Sequence, residues 1–235
     1  MKKCAIILMV FGLIVILGYM LVYAATTQPT KAATPAKAAT QPAKEPTIAD
    51  KRAMVKAAKI SMVDAIAIAT KKVPGTIIDG ELEKVSGKNI YSFELVPRTG
   101  NIINEVSVDA ADGTVISVGD ANAADPTENP SAKQETAASE AQDKAEKQAL
   151  AKAAKISMTD AIGIAAQKAA GTVIVGELLN DKGKTIYTME VLLDANTKTT
   201  KRVILDATSG TVLSMVNLTA AMIAAETAAE MNAAK

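Results

Sequence analysis

The sequence predicts an α+β protein: two repeated small domains, each a helix packed on a three- to four-stranded antiparallel sheet, with a hydrophobic helix at the N-terminus. Three observations predict it. One pattern is written twice, since Lys59-Ile60-Ser61-Met62-Val63-Asp64-Ala65-Ile66 returns as Lys155-Ile156-Ser157-Met158-Thr159-Asp160-Ala161-Ile162. The match runs for about 60 residues with roughly half the positions identical, the length of a duplicated domain rather than of a solenoid unit. Within each copy the apolar spacing changes from helical to alternating at a glycine, Gly75 or Gly171. The connections beyond that point are too short for crossovers, which implies antiparallel hairpins.

The elements follow in order. Met1-Lys2-Lys3 and the apolar run Cys4 to Ala25 form a targeting segment, about long enough to cross a bilayer. Val22-Tyr23-Ala24 fits signal cleavage, and an uncleaved anchor fits the length of the run equally well. In both cases the lysines stay cytoplasmic and the rest is exported, to a periplasmic or other extracytoplasmic location, tethered to the cytoplasmic membrane if the segment is retained. Residues 26–50 repeat Ala, Thr, Pro and Lys with few large apolar side chains, and are expected to be a disordered spacer. The first domain spans 51–118. A polar, partly helical linker covers 119–146, where Glu140 with Lys144 and Asp143 with Lys147 have the spacing of an exposed helix. The second domain spans 147–216, and 217–235 is an alanine-rich helix.

Inside each domain, Ser61 or Ser157 caps a helix and Asp64 or Asp160 completes a capping box. Met62, Ala65, Ile66 and Ala69 share one helix face, as do Met158, Ala161, Ile162 and Ala165. Gly75 and Gly171 are expected to end the helices in a left-handed conformation. Ile78, Gly80 and Leu82 then alternate with Ile77, Asp79 and Glu81. A turn at Ser86-Gly87 or Lys182-Gly183 leads to Tyr91, Phe93 and Leu95, or Tyr187, Met189 and Val191. Val106, Val108 and Ala110 supply a third strand, and Thr114 to Val118 a short fourth, with Val203, Leu205, Ala207 and Thr211 to Met215 as counterparts.

Composition excludes much chemistry. The chain has no histidine and a single cysteine. Histidine-dependent triads, cysteine zinc clusters and internal disulfides are therefore out. Basic and acidic residues balance, 26 against 25, and aromatics are scarce, unlike a nucleic-acid surface. Asp109 and Asp206 recur beside glycines, a spacing that suits turns better than metals. Tyr91 and Tyr187 occupy apolar alternating positions and belong to packing rather than to a ligand. Gly183-Lys184-Thr185 lacks the upstream glycine and the helix of a phosphate loop. No catalytic residue, cofactor or metal ligand is assigned, and the chain reads as a non-enzyme. The candidate partner surface is the sheet face opposite the helix, carrying Glu81, Ser92 and Glu94 and their counterparts Glu177, Thr188 and Glu190, expected to be at least partly wet.

The ordered set of Ala65-Ile66, Gly75, Glu81, Tyr91-x-Phe93-Glu94 and Val108-Asp109-Ala110-x-x-Gly113-Thr114-Val115 resembles the PepSY domain family. The second copy supplies Ala161-Ile162, Gly171, Glu177, Tyr187-x-Met189-Glu190 and Leu205-Asp206-Ala207-x-x-Gly210-Thr211-Val212. The resemblance implies tandem helix-on-sheet domains outside the cytoplasm, and a role in restraining peptidases. A protein partner is therefore expected, a peptidase first among candidates, with membrane contact only through the N-terminal segment and no nucleic acid. The alternative from another class is a small-ligand or envelope-stress sensor that binds between the duplicated domains.

Overall fold

A computed structural model describes residues 46–121, 137–194, 199–219 and 222. The expected targeting segment, most of the expected spacer, half of the central linker and nearly all of the C-terminal tail lie outside the described residues. No helix among the described residues is long and apolar enough to cross a membrane.

Helix α1 (Ile48–Ala57) precedes α2 (Met62–Lys72), and strands β1 (Gly75–Val85), β2 (Lys88–Pro97), β3 (Asn104–Asp109) and β4 (Val115–Asp120) complete the first copy. The second repeats the order with α3 (Ala137–Ala153), α4 (Met158–Ala169), β5 (Gly171–Asp181), β6 (Lys184–Leu193), β7 (Thr200–Asp206) and β8 (Val212–Leu218). Capping boxes start α2 at Ser61–Asp64 and α4 at Ser157–Asp160, and a third, Thr47–Asp50, starts α1. The buried faces of α2 and α4 are the ones the spacing predicts, with Ala169 added to the second.

The copies do not carry separate sheets. All eight strands form one antiparallel sheet in the order β4-β3-β2-β1-β5-β6-β7-β8. At its centre β1 pairs with β5, and Gly80 stands opposite its own counterpart Gly176. Equivalent residues meeting in an antiparallel pair define a pseudo-two-fold axis through that point. Side chains crowd both glycines: a Cβ on Gly80 would lie 2.8 Å from the Phe93 ring, and one on Gly176 would lie 2.9 Å from the Met158 and Met189 sulfurs, which are flexible enough to shift.

Two expectations are corrected. Gly75 and Gly171 do not end their helices in a left-handed conformation. In the second copy that role falls to Ala170, with φ of 53°, and in the first the helix stops at an extended Val73 before Pro74. The glycines serve close approach instead, since a Cβ on Gly75 would meet the Val96 carbonyl oxygen at 2.5 Å, and one on Gly171 would clash with that of Leu192. The strict alternation of β1 is also broken. A register shift between Ile77 and Asp79 buries both Ile77 and Ile78, and β5 repeats it at Val173 and Ile174.

Tight turns at Ser86-Gly87 and Lys182-Gly183 have positive φ at both central residues, the hairpin form that matches strand twist. Tyr91 and Tyr187 each donate a hydroxyl hydrogen bond of 3.0 Å, to the carbonyls of Ile60 and Ile156. They bolt the segment between paired helices to the sheet. Burial first, then the nearby Asp64 or Asp160, pushes both phenols up to about 12.

Candidate functional site

Helices α2 and α4 pack side by side on one sheet face, over Tyr91, Phe93, Tyr187 and Met189. The next residues along each strand point the other way. Register places Glu105, Glu94, Asp79, Glu177 and Thr188 in one row across that second face. Ser107, Ser92, Glu81, Val175, Glu190 and Arg202 form the adjacent row. All six residues of the candidate surface therefore share one face, on either side of the pseudo-two-fold axis.

That face is not open at its centre. Helices α1 and α3 contact β1 and β5 there. Each contributes a lysine to the strand of the other repeat: Lys51 Nζ lies 3.0 Å from Glu190 Oε1, and Lys147 Nζ lies 2.8 Å from Glu94 Oε2. Lys51 and Lys147 are equivalent in the two copies, as are Glu94 and Glu190, so the two ion pairs are symmetry mates. Glu94 and Glu190 keep only 19% and 16% of their side-chain exposure. Lys147 also lies 3.3 Å from Asp143, and both are buried. The Asp143–Lys147 spacing thus belongs to a helix side turned to the sheet, not to an exposed one, because the lysine is drawn to Glu94.

The electrostatics are uneven. Burial, then the carboxylates of Glu177, Glu94 and Glu81, hold Asp79 well above the usual carboxylate range, with Lys147 opposing them. Burial and Glu105 push Glu83 up to about 7. Glu105 is raised by burial and Glu94, against a hydrogen bond donated by the Ser92 hydroxyl at 3.0 Å. Burial works against the charge of Lys147, and the Glu94 and Asp143 carboxylates outweigh it, so the ammonium is held more firmly than usual. These acids belong to the first copy. At the positions of Asp79, Glu83 and Glu105 the second copy has Val175, Leu179 and Arg202.

Sequence reasoning missed Asp79, Glu83, Glu105 and the two lysines. The lysines left a trace, because Lys51 and Lys147 recur at the repeat offset. Asp109 and Asp206 serve turns: Asp109 Oδ1 accepts from the Ala111 amide at 2.8 Å, and Asp206 Oδ1 from those of Thr208 and Ser209 at 2.8 and 3.0 Å. Among the described residues no three acidic or thiol side chains converge as metal ligands would. A cleft of about 330 Å³ lies between α1 and the β5–β6 pair, lined by Arg52, Val55 and Lys56 on one side and Thr172, Leu192 and Asp194 on the other.

The family model described as "Peptidase propeptide and YPEB domain", PepSY, matches residues 59–118 and again 155–216. No curated protein matches the chain. Two solved structures are similar to it. One is a candidate lipoprotein of Clostridium difficile 630, with a TM-score of 0.39 and 22% identity over 70% of this chain and 97% of that one. The other is the C-terminal domain of Bacillus megaterium YpeB, with a TM-score of 0.26 and 15% identity over 69% of this chain and 67% of that one.

Proposed function

The chain belongs to the PepSY family, with two copies in tandem, and from that membership we propose that it is a non-enzymatic, extracytoplasmic protein that binds a partner protein and modulates a peptidase. The single observation that carries this reading is the double match, which covers both copies of the repeat. Three others support it. The N-terminal segment has the composition of an export signal or anchor. The chain has no histidine, so it lacks the commonest general base. The acidic rows Glu81, Ser92, Glu94 and Glu177, Thr188, Glu190 lie on one face, where a partner would meet the rim left by α1 and α3.

The test is capture from envelope extract with the full chain in detergent, followed by peptidase assays of what is retained. A retained peptidase that slows on addition of the chain is the expected result. A peptidase retained at unchanged rate would reject modulation, and recovery of no protein would reject the reading altogether. The cleft between α1 and β5–β6 favours a second reading, a small anionic ligand held between the copies by Arg52 and Lys56. A thermal shift with a small carboxylate, lost in Lys56→Met, would speak for it.

A further inference from the structure

The two halves of the acidic face are built on one plan and balanced differently. In the second half, Glu190 takes Lys51 and stands in register with Arg202. In the first half, Glu94 takes Lys147, which it shares with Asp143, and stands in register with Glu105. Glu105 thus occupies the position that Arg202 fills in the other copy. Glu83 occupies that of Leu179, and Ser107 that of Ile204. Among the described residues no ion pair reaches Glu83 or Glu105. Both are half-buried, so water still reaches them.

A second observation is independent of charge. Ser107 is 1% exposed, and its hydroxyl has no hydrogen-bond partner. It lies in the same row and on the same face as Ser92, whose hydroxyl is already committed to Glu105. A buried hydroxyl without a partner costs free energy that a donor from outside recovers. Register sets Glu105 and Glu83 on either side of the Ser107–Ser92–Glu81 row, and carboxylates separated by hydroxyls suit the planar fork of a guanidinium better than a bare metal ion.

We propose that the first-repeat half of this face is a socket for a basic side chain, arginine above all, presented by the partner protein. This rests on the reading that the chain binds a partner, and names the chemistry of the contact. A protein segment is favoured over a free polyamine by the neighbouring strand. Among the described residues β4 ends the sheet, and it exposes Ile116 at 48% and Val118 at 42%; Val118 stands in register with Val106 and so points to the α2 side, while Ser117 and Gly119 continue the acidic rows on the other face. An extended segment with alternating basic and apolar residues can use both. Lys88, 3.8 Å from Asp109 and 70% exposed, is too loosely held to fill the socket from within.

The test uses the full chain in detergent and a labelled, capped hexapeptide that alternates arginine and valine, read by fluorescence anisotropy at low salt. Binding should weaken at least about tenfold in Glu83→Gln and in Glu105→Gln, the usual scale for losing one partner of a charged contact. Glu105→Arg installs the residue of the second copy at this position, so it should abolish binding and raise the melting temperature. Unchanged affinity in these variants, with folding intact by circular dichroism, would overturn the proposal. So would displacement of the peptide by equimolar spermidine or magnesium, which would reveal mere counter-ion attraction. A natural partner captured equally by wild type and Glu105→Arg would sink the socket and leave partner binding standing. Capture of no partner, with peptide binding still dependent on Glu83 and Glu105, would sink the function proposed above and leave the socket.

Discussion

Asp79→Asn should stabilise the protein, and more so as pH rises. Asp79 sits at the sheet centre among Glu81, Glu94 and Glu177, and its burial outweighs the help it draws from Lys147. A carboxyl held above its unfolded value binds more protons folded than unfolded. Its contribution to stability is therefore complete below about pH 4 and is lost as pH climbs toward the folded value. Glu83 adds to the same slope between its ordinary value of 4.5 and about 7, reduced because the side chain is partly exposed. Replacing a poorly compensated buried charge with a neutral group of the same shape is worth about 2 kcal/mol. For a chain of this size that is a gain of about 4–8 °C in melting temperature. The assay is thermal unfolding by circular dichroism at pH 4, 6 and 8.5. Wild type should lose stability across that range, and Asp79→Asn should match it at pH 4 and exceed it at pH 8.5. A variant that melts below wild type at pH 8.5, or that follows the same pH slope, would refute the electrostatic account of this residue.

Other perturbations probe the frame around it. Lys147→Met leaves Glu94 and Asp143 without their cation and should cost about 3–5 kcal/mol in chemical denaturation, while a double-mutant cycle with Glu94→Gln should recover part of that loss. Tyr91→Phe and Tyr187→Phe each remove one hydrogen bond to a partly buried carbonyl, and should each cost about 0.5–1.5 kcal/mol, with similar values if the two copies are mechanically alike. Gly75→Ala drives a Cβ into the Val96 carbonyl, whereas Gly176→Ala meets only thioethers that can rotate. The first should be the more damaging by about 1–3 kcal/mol in the same denaturation experiment.

The repeat, the caps and the core-facing positions could be read from sequence because each is a local signal. Ser61 with Asp64 declares a helix start within four residues, and Tyr91-x-Phe93-x-Leu95 declares its buried side by alternation alone. The pairing of β1 with β5 has no such signal. Gly80 and Gly176 look like ordinary small residues in a strand until their cross-strand neighbours are known. The bulges at Ile78 and Ile174 escaped for the same reason, since an inserted residue reads as a continued apolar run. The candidate face was legible as a row of polar alternates, Glu81, Ser92 and Glu94. Its cover was not, because Lys51 and Lys147 act on glutamates of the other copy, and no spacing rule reaches across 139 residues. Asp79, Glu83 and Glu105 carry no repeat signal at all, because the second copy has Val175, Leu179 and Arg202 in their places.

That asymmetry predicts how the copies behave apart. Each half lends a helix and a central strand to the other, so neither is complete alone. Residues 137–219 on their own can rebuild the missing partner from a second molecule. Antiparallel pairing of β5 with its own copy about Gly176 sets Glu177 against Val175, and Lys147 would meet Glu190 of the other molecule as it meets Glu94 here. Residues 46–121 face a different result. Pairing β1 with its copy about Gly80 sets Asp79 against Glu81 twice, four carboxylates in one buried patch with only Lys51 from each chain to answer Glu94. Like charges so placed are destabilising. The second-repeat fragment should therefore elute as a dimer in light-scattering chromatography at pH 8. The first should remain monomeric and largely unfolded at that pH, and should gain structure and self-associate near pH 4–5 as its carboxyls take up protons. Equal dimerisation of both fragments at pH 8 would show that sheet continuity, not the charge pattern across the axis, governs how the halves join.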